Sequence, residues 1–337
     1  MEDRPHPKSR SATSLFTRWD DESWIRRKPF REGPIGGLPF SPDLVPLAKH
    51  PAVVTAAADA SLKVLGFRLL AHLEFTAHLE IDYVNPACAA LAMGRCHVAM
   101  DEAARLDLLK IYCDEGGHAL FVRAFAQTVA ACYGLDRGVV GRPQFEVVMD
   151  RIIARYGTEV DPQVLGLFFC AVSETLVSRV LFGIPKDPQV DPAVREVLHD
   201  HAMDERIHGA FFRRIFPVLW RGLSQRERDV LGQVLPEFVW TFLGPDRRLE
   251  EAVLRSFGFN QDEATGILTE VYPPGDVGTG VRREAGPTLQ MFAEAGIFEA
   301  SVARDAFHRY ELLDEQGELP ASFEQTPGEA LVWGDTV

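Results

Sequence analysis

Five cysteines in 337 residues (Cys88, Cys96, Cys113, Cys132, Cys170) are few, odd in number and nowhere at Cys-x-x-Cys spacing. This excludes a disulfide framework and a cysteine-based zinc site. It reads instead as reduced core thiols in a cytoplasmic protein. Positive charge is also scarce: 35 Lys and Arg stand against 49 Asp and Glu, a net charge of −14. Nucleic acid or an anionic membrane as partner needs clustered cations, which are missing here. No apolar run is long enough to span a bilayer, because Glu174 and Arg179 interrupt the best candidate. No charged-then-apolar signal segment opens the chain. Gly-x-Gly-x-x-Gly, a Walker loop, Gly-x-Ser-x-Gly and Asp-Asp-x-x-Asp are all missing, and so is period-two alternation. Nucleotide-binding sheets, serine hydrolases and terpene-synthase-like enzymes are thereby disfavoured.

What is present is helical patterning with 46% hydrophobic residues. Helices are expected over 57–84, where Leu62, Leu65, Leu69, Leu73 and Leu79 form a stripe, over 101–133 from an Asp101 N-cap, and over 143–156. Asn85-Pro86 should kink or end the first of these. Two Asp-Pro pairs, Asp161-Pro162 and Asp191-Pro192, place a cap before a proline at the first helical position. They open helices over 162–182 and from 192 to a stop at Pro217. Ser224-x-x-Glu227 is a capping box for a helix over 225–243, and weaker helices fall at 247–257 and 283–297. The domain reading is an extended N-terminal arm over 1–40, pinned if at all by Trp19, Trp24 and Phe30, a helical domain over 41–310, and an acidic tail over 311–337.

The chemistry concentrates in His201, Glu205 and His208. Their i, i+4, i+7 spacing puts two imidazoles and a carboxylate on one helix face, the donor set of an Fe, Mn or Zn site. On its own the stretch equally describes a solvated helix face. A second copy of the pattern alters that. Asp114-Glu115-Gly-Gly-His118 repeats the form of Asp204-Glu205-Arg-Ile-His208. Two Glu-x-x-His turns are half of a dinuclear carboxylate site in a helical bundle, and the other half is one lone Glu from each of two further helices. Glu174 is one: it is the only charge in an apolar run and needs a partner, a proton or a metal. The other is Glu80 or Glu74. Glu80 is preferred because it precedes Glu115 by 35 positions, much as Glu174 precedes Glu205 by 31. Asp114 and Asp204 each adjoin a ligand and are placed to accept the free N–H of a ligand histidine. Gly116-Gly117, costly in a helix, reads as room over the metals for dioxygen or substrate, with close helix packing the alternative.

The order Glu80, Glu115-x-x-His118, Glu174, His201-x-x-x-Glu205-x-x-His208 resembles the p-aminobenzoate N-oxygenase (AurF-type) family. The third histidine, His201, separates that family from ferritins, desaturases and bacterial monooxygenases. The resemblance implies an all-α, ferritin-like four-helix-bundle core with additional helices. It also implies two iron ions with dioxygen as co-substrate, manganese being the next-best metal. The implied activity is oxidation of an aromatic amine through hydroxylamine towards nitroso or nitro, with an external electron donor and a homodimer. Rival readings are a di-iron enzyme acting on a C–H bond or aldehyde, and a non-catalytic ferritin-like iron-binding protein.

A stability consequence follows from the charge count. Four carboxylates converge in this site, and two divalent cations cancel them. Chelator-treated protein should melt at a lower temperature than the metal-loaded form, and added Fe(II) should restore it. Equal melting temperatures would count against a buried four-carboxylate site.

Overall fold

The computed structural model describes residues 14–29, 31, 35–96, 98–176, 179–314 and 319. Within them the chain runs through α1 (Trp19–Glu22), α2 (Trp24–Arg27), α3 (Pro51–Ala56), α4 (Ala60–Leu79) and α5 (Asn85–Ala92). It continues through α6 (Glu102–Tyr133), α7 (Gln144–Tyr156), α8 (Pro162–Thr175), α9 (Arg179–Gly183) and α10 (Pro192–Gly222). It closes with α11 (Gln225–Leu243), α12 (Arg247–Ser256), α13 (Gln261–Val271), α14 (Pro274–Glu294) and α15 (Ser301–Arg309). The fold is all-α. Among the described residues the one extended pairing is an isolated bridge between Leu38 and Val190. No described helix is long and apolar enough to cross a membrane.

The expected caps form. Asp101 accepts the Ala104 N–H at 2.8 Å, Asp161 that of Gln163 and Asp191 that of Ala193, both at 2.8 Å. Ser224 and Glu227 make the reciprocal capping box at the start of α11. Gly134, in the left-handed region at φ 61°, ends α6 where glycine is the cheapest residue.

Three boundaries depart from expectation, and two further helices form. Pro86 cannot donate to the carbonyl four residues back. Glu80–Val84 therefore widens into a π-turn in which the Asn85 N–H reaches the Glu80 carbonyl, and α5 follows directly. α8 stops at Thr175 rather than 182. Ser173 and Thr175 turn their hydroxyls back onto the Cys170 and Val172 carbonyls, and the Thr288 hydroxyl donates to the Thr175 carbonyl at 3.0 Å. α10 does not stop at Pro217 but carries it internally to Gly222. An interior proline costs about 3 kcal/mol, and burial of Phe216, Leu219 and Trp220 around it supplies more than that. α13 and α15 were not expected. The first opens on an Asn260–Glu263 capping box, a signal visible in the sequence.

The apolar interior is divided in two. One cluster joins α5, α7, α8, α11 and α14 through Phe145, Phe168, Phe169, Phe238 and Phe292. The other joins α2, α4, α12 and α13 through Trp24, Leu69, Leu73, Leu254 and Leu268. The two long helices pass through both. α6 contributes Leu108 and Ile111 to the first and Val122 to Ala130 to the second, while α10 contributes Val194 to Ala202 to the second and Phe211 to Leu219 to the first. Residues 114–118 and 204–208 thus fall where each helix crosses between the apolar clusters. The thiols divide as well. Cys88 and Cys170 are buried and Cys96 is half-buried. Cys113 and Cys132 are exposed, so the expectation of core thiols fails for those two. Their helix positions face outward, and apolar neighbours in sequence do not share a helix face.

Glu250 offers a test of burial in this fold. It is 9% exposed, accepts the Tyr272 hydroxyl at 2.5 Å, and Oε2 has no hydrogen-bond partner among the described residues. Burial pushes its carboxyl from 4.5 up to about 7, with the Tyr272 bond and Arg68 pulling the other way. The folded form therefore holds a proton that the unfolded form has released. The associated stability is complete below about pH 4.5 and is lost as pH rises through about 7. Glu250→Gln should stabilise by about 2 kcal/mol more at pH 8 than at pH 5, read by urea titration at both pH values. A pH-independent difference would show that the carboxyl titrates normally.

Candidate metal centre

Helix periodicity brings the polar residues of four helices into the layer between the two clusters. The π-turn after α4 presents Glu80, α6 presents Glu115 and His118, the last turn of α8 presents Glu174, and α10 presents His201, Glu205 and His208. All seven are buried, and Glu115, His118 and His208 are 0% exposed. Their donor atoms fall into two groups, each gathered within 4.8 Å. One is Glu80, His118, His201 and Glu205; the other is Glu115, Glu174, Glu205 and His208. Glu205 belongs to both. Its Oε1 lies 3.1 Å from His201 Nε2, 3.3 Å from His208 Nδ1 and 3.4 Å from His118 Nδ1. Glu115 also spans the pair, with Oε2 at 3.3 Å from His118 Nδ1 and Oε1 at 2.9 Å from His208 Nδ1.

Glu74, the alternative to Glu80, lies elsewhere. It pairs with Arg123 at 2.6 Å and with Arg137. The two carboxylates are six positions apart, so they stand on different helix faces. A third group, His78, Asp82 and Glu146, is half-exposed and already served by Arg142.

The ring nitrogens have fixed tasks. His118 turns Nδ1 inward and its Nε2 lies 3.0 Å from Asp204 Oδ2; His208 turns Nδ1 inward and its Nε2 lies 3.3 Å from Asp114 Oδ2. Each aspartate therefore serves the histidine of the opposite helix, not of its own. The crossing joins α6 to α10 twice. With a cation in the layer, each imidazole would donate its outer N–H and offer its inward lone pair. His201 turns Nε2 inward, 3.2 Å from Glu80 Oε1.

The donor set fits a metal. Glu80 Oε2, Glu115 Oε1, Glu174 Oε2 and His208 Nδ1 are buried and lack a hydrogen-bond partner among the described residues. Orphaned buried acceptors are costly in a finished protein unless a cation takes them.

Electrostatics agree. Burial pushes Glu80 up to about 8, reinforced by Glu115 and opposed by His201, and pushes Glu174 well above the carboxylate range, with Glu205 and Glu115 adding to it. Burial acts the same way on Glu205, but His208, His118 and His201 outweigh it and hold this carboxyl well below its usual value. Burial depresses the histidines, yet the carboxylates prevail. His118 and His208 rise well above 6.5 and His201 rises to about 9. The layer draws positive charge despite its burial, which is the condition for holding cations.

A cavity of about 170 Å³ opens onto Glu80, Glu115, Glu174, His201 and Glu205. One wall is α4, whose Arg68, His72, Thr76 and Glu80 recur every fourth residue and share a face over about 18 Å of helix. Phe75, Leu79, Leu176 and Phe242 make it apolar near the polar layer. His72 Nε2 has no partner among the described residues, and burial, with Arg68 and His201 adding to it, holds this imidazole near 3, hence neutral.

The sequence from residue 8 to residue 296 matches the family model described as P-aminobenzoate N-oxygenase AurF. The chain belongs to that family. A curated relative, the 4-aminobenzoate N-oxygenase of Streptomyces thioluteus, is 22% identical over 264 residues, covering 77% of this chain and 76% of that protein. The chain is therefore an oxygenase of this helical family. The matched span contains every residue of the polar layer and also the arm packed against it.

That arm carries what the motif search under-read. Trp24 is fully buried against the His118 and His201 rings, at 5.7 and 6.4 Å, and Phe16 stacks on His208 at 6.0 Å. The Gly-Gly expectation needs correction at Gly117. A Cβ there would meet Ile25 Cγ2 at 1.9 Å, so its bareness seats α2 and leaves no gap for dioxygen or substrate. A Cβ at Gly116 would touch only Asn85, at an ordinary 3.9 Å. Trp19 and Trp24 anchor the arm, as aromatic residues in a polar segment are expected to; Phe30 lies outside the described residues. Arg68 and His72 sit too far from any motif for spacing to find them.

Proposed function

We propose that this protein is a non-haem di-iron oxygenase that oxidises the nitrogen of an aromatic amine, through the hydroxylamine, towards nitroso or nitro. The observation that carries the reading is the pair of buried donor groups sharing Glu205 at the end of an apolar cavity. Glu80, His118 and His201 would hold one metal and Glu115, Glu174 and His208 the other, with Glu205 a member of both donor groups. All-oxygen-and-nitrogen donors of this kind suit iron first and manganese next. Bound as a ferrous pair, the metals supply electrons that activate dioxygen; the rest is the work of the protein.

The chain's own residues bind, orient and exclude water. His201 would add a third imidazole to the donors of a two-histidine site, which favours a substrate held by the cavity wall over one held by the metals. A cavity of roughly 150 Å³ accepts a benzene ring, so the space here suits one aromatic ring against Phe75, Leu79 and Phe242. Neutral His72, on the same wall as Glu80, offers its unpartnered Nε2 to a polar substituent. The name of the Streptomyces relative supports an aminoaryl substrate class. Electrons for turnover come from an external donor.

Two measurements bear on this. Metal content per chain should be about two for wild type. Glu174→Ala should hold about one, because Glu174 serves a single group, and Glu205→Ala should lose both. Equal content in all three would remove these residues as ligands. Wild type supplied with Fe(II), a reductant and oxygen should convert an arylamine to a product heavier by oxygen at nitrogen. Mass spectrometry of a panel of aryl and alkyl amines, C–H substrates and aldehydes decides the reaction class. Oxygen consumed while every amine is recovered unchanged would end the N-oxygenase reading.

A further inference from the structure

The residues that orient the two inward-facing histidines of the Glu-x-x-His turns are themselves held from outside the bundle. Asp114, 1% exposed, accepts the Trp19 indole N–H at 2.9 and 2.8 Å through its two oxygens, and the Ser23 hydroxyl at 2.6 Å. Asp204, 4% exposed, accepts the Trp24 backbone N–H at 3.0 Å. These are the carboxylates whose remaining capacity goes to His208 and His118. So two relays run from the arm to the metal centre, Trp19 and Ser23 through Asp114 to His208, and the Trp24 amide through Asp204 to His118. The arm also lays an aromatic ring against each of the three histidines and seats Ile25 on Gly117. Its far end is tied down by Lys28 and Arg31 on Asp200, at 3.3 and 2.8 Å.

We propose that residues 14–29, tied down further by Arg31, are a positioning strap for the metal centre, so that arm docking and metal binding are energetically linked. Trp19, Ser23 and the Trp24 amide touch no reacting atom. They act by fixing Asp114 and Asp204, which hold the rotation and tautomer of His208 and His118. The physical reason is the geometry of an aspartate on a helix. Its carboxylate rotates freely unless a second donor fixes it, and a rotated carboxylate releases the imidazole it orients. Linkage is reciprocal. Whatever factor the docked arm adds to metal affinity, bound metal adds to arm docking. The inference rests on the metal-centre reading above.

The test uses the full chain with Fe(II) under anaerobic conditions, and reads affinity and release to a chelator rather than turnover. Ser23→Ala and Trp19→Phe each remove one donor to Asp114 and keep the side-chain bulk close to native. Either should weaken Fe(II) binding at one position by a few-fold to about 10-fold, less than the about 10- to 100-fold cost of losing the orienting Asp114 itself. Ser23→Thr keeps the hydroxyl and should restore wild-type affinity. In wild type, amide hydrogen exchange of residues 14–29 should slow on Fe(II) addition; in Ser23→Ala the slowing should shrink by the factor lost in affinity. Variants that melt lower but bind and release Fe(II) as wild type does would make the arm mere packing and overturn the proposal. So would arm exchange that ignores Fe(II). Wild type that binds no iron would sink the metal-centre reading itself, an outcome visible before any variant is compared.

Discussion

Two helices exchange carboxylate–histidine pairs at the centre of this protein, and the rest of the structure is built to make that exchange tolerable. Asp114 of α6 faces His208 of α10, and Asp204 of α10 faces His118 of α6. Buried charges of this density are expensive, and each must find an opposite charge or a hydrogen bond. The exchange satisfies the outer nitrogens of both imidazoles and leaves their inner nitrogens pointing at Glu80, Glu115, Glu174 and Glu205. It also fixes the register of α6 against α10, since a shift of one residue would turn both pairs away from each other.

The two apolar clusters on either side give the polar layer its character. They exclude water, so each carboxylate feels its neighbours strongly. That is why burial drives Glu80 and Glu174 upward while the imidazoles hold Glu205 down. They also make the two long helices rigid across the layer. Seven donors on four elements can meet only if those elements do not flex independently, and phenylalanine packing on one side with leucine packing on the other provides that. The π-turn at Glu80 has the same logic. One extra residue in the turn gives the Asn85 N–H a partner in the Glu80 carbonyl where proline removes the usual donor, and it falls at one of the two lone glutamates of the polar layer.

The N-terminal arm changes the picture of what encloses the site. A four-helix bundle alone would leave the outer faces of Asp114 and Asp204 toward solvent. Here Trp19, Ser23 and Trp24 cover them, and Gly117 is bare so that Ile25 can approach. The cavity meanwhile reaches the site between α4, α8 and α11, and on to α12. The cavity and the arm thus meet the polar layer through different elements.

The repeated Asp-Glu-x-x-His turns, the lone Glu174 and the spacing of His201 depend on nothing but helix periodicity and the cost of an unpartnered charge. For that reason the all-α class, the caps and the convergence of these seven side chains on one buried layer could be read from residues alone. The choice of Glu80 over Glu74 rested on spacing to Glu115, and the fold gives the physical reason, since Glu74 meets Arg123 and Arg137. Other features were decided only in three dimensions. Pro217 stays inside α10 because tertiary burial outweighs a local penalty. Which aspartate serves which histidine depends on how two helices sit side by side. Gly117 is explained by a segment 92 positions earlier in the chain. Local rules fix what a residue needs; only packing between distant segments fixes which partner supplies it.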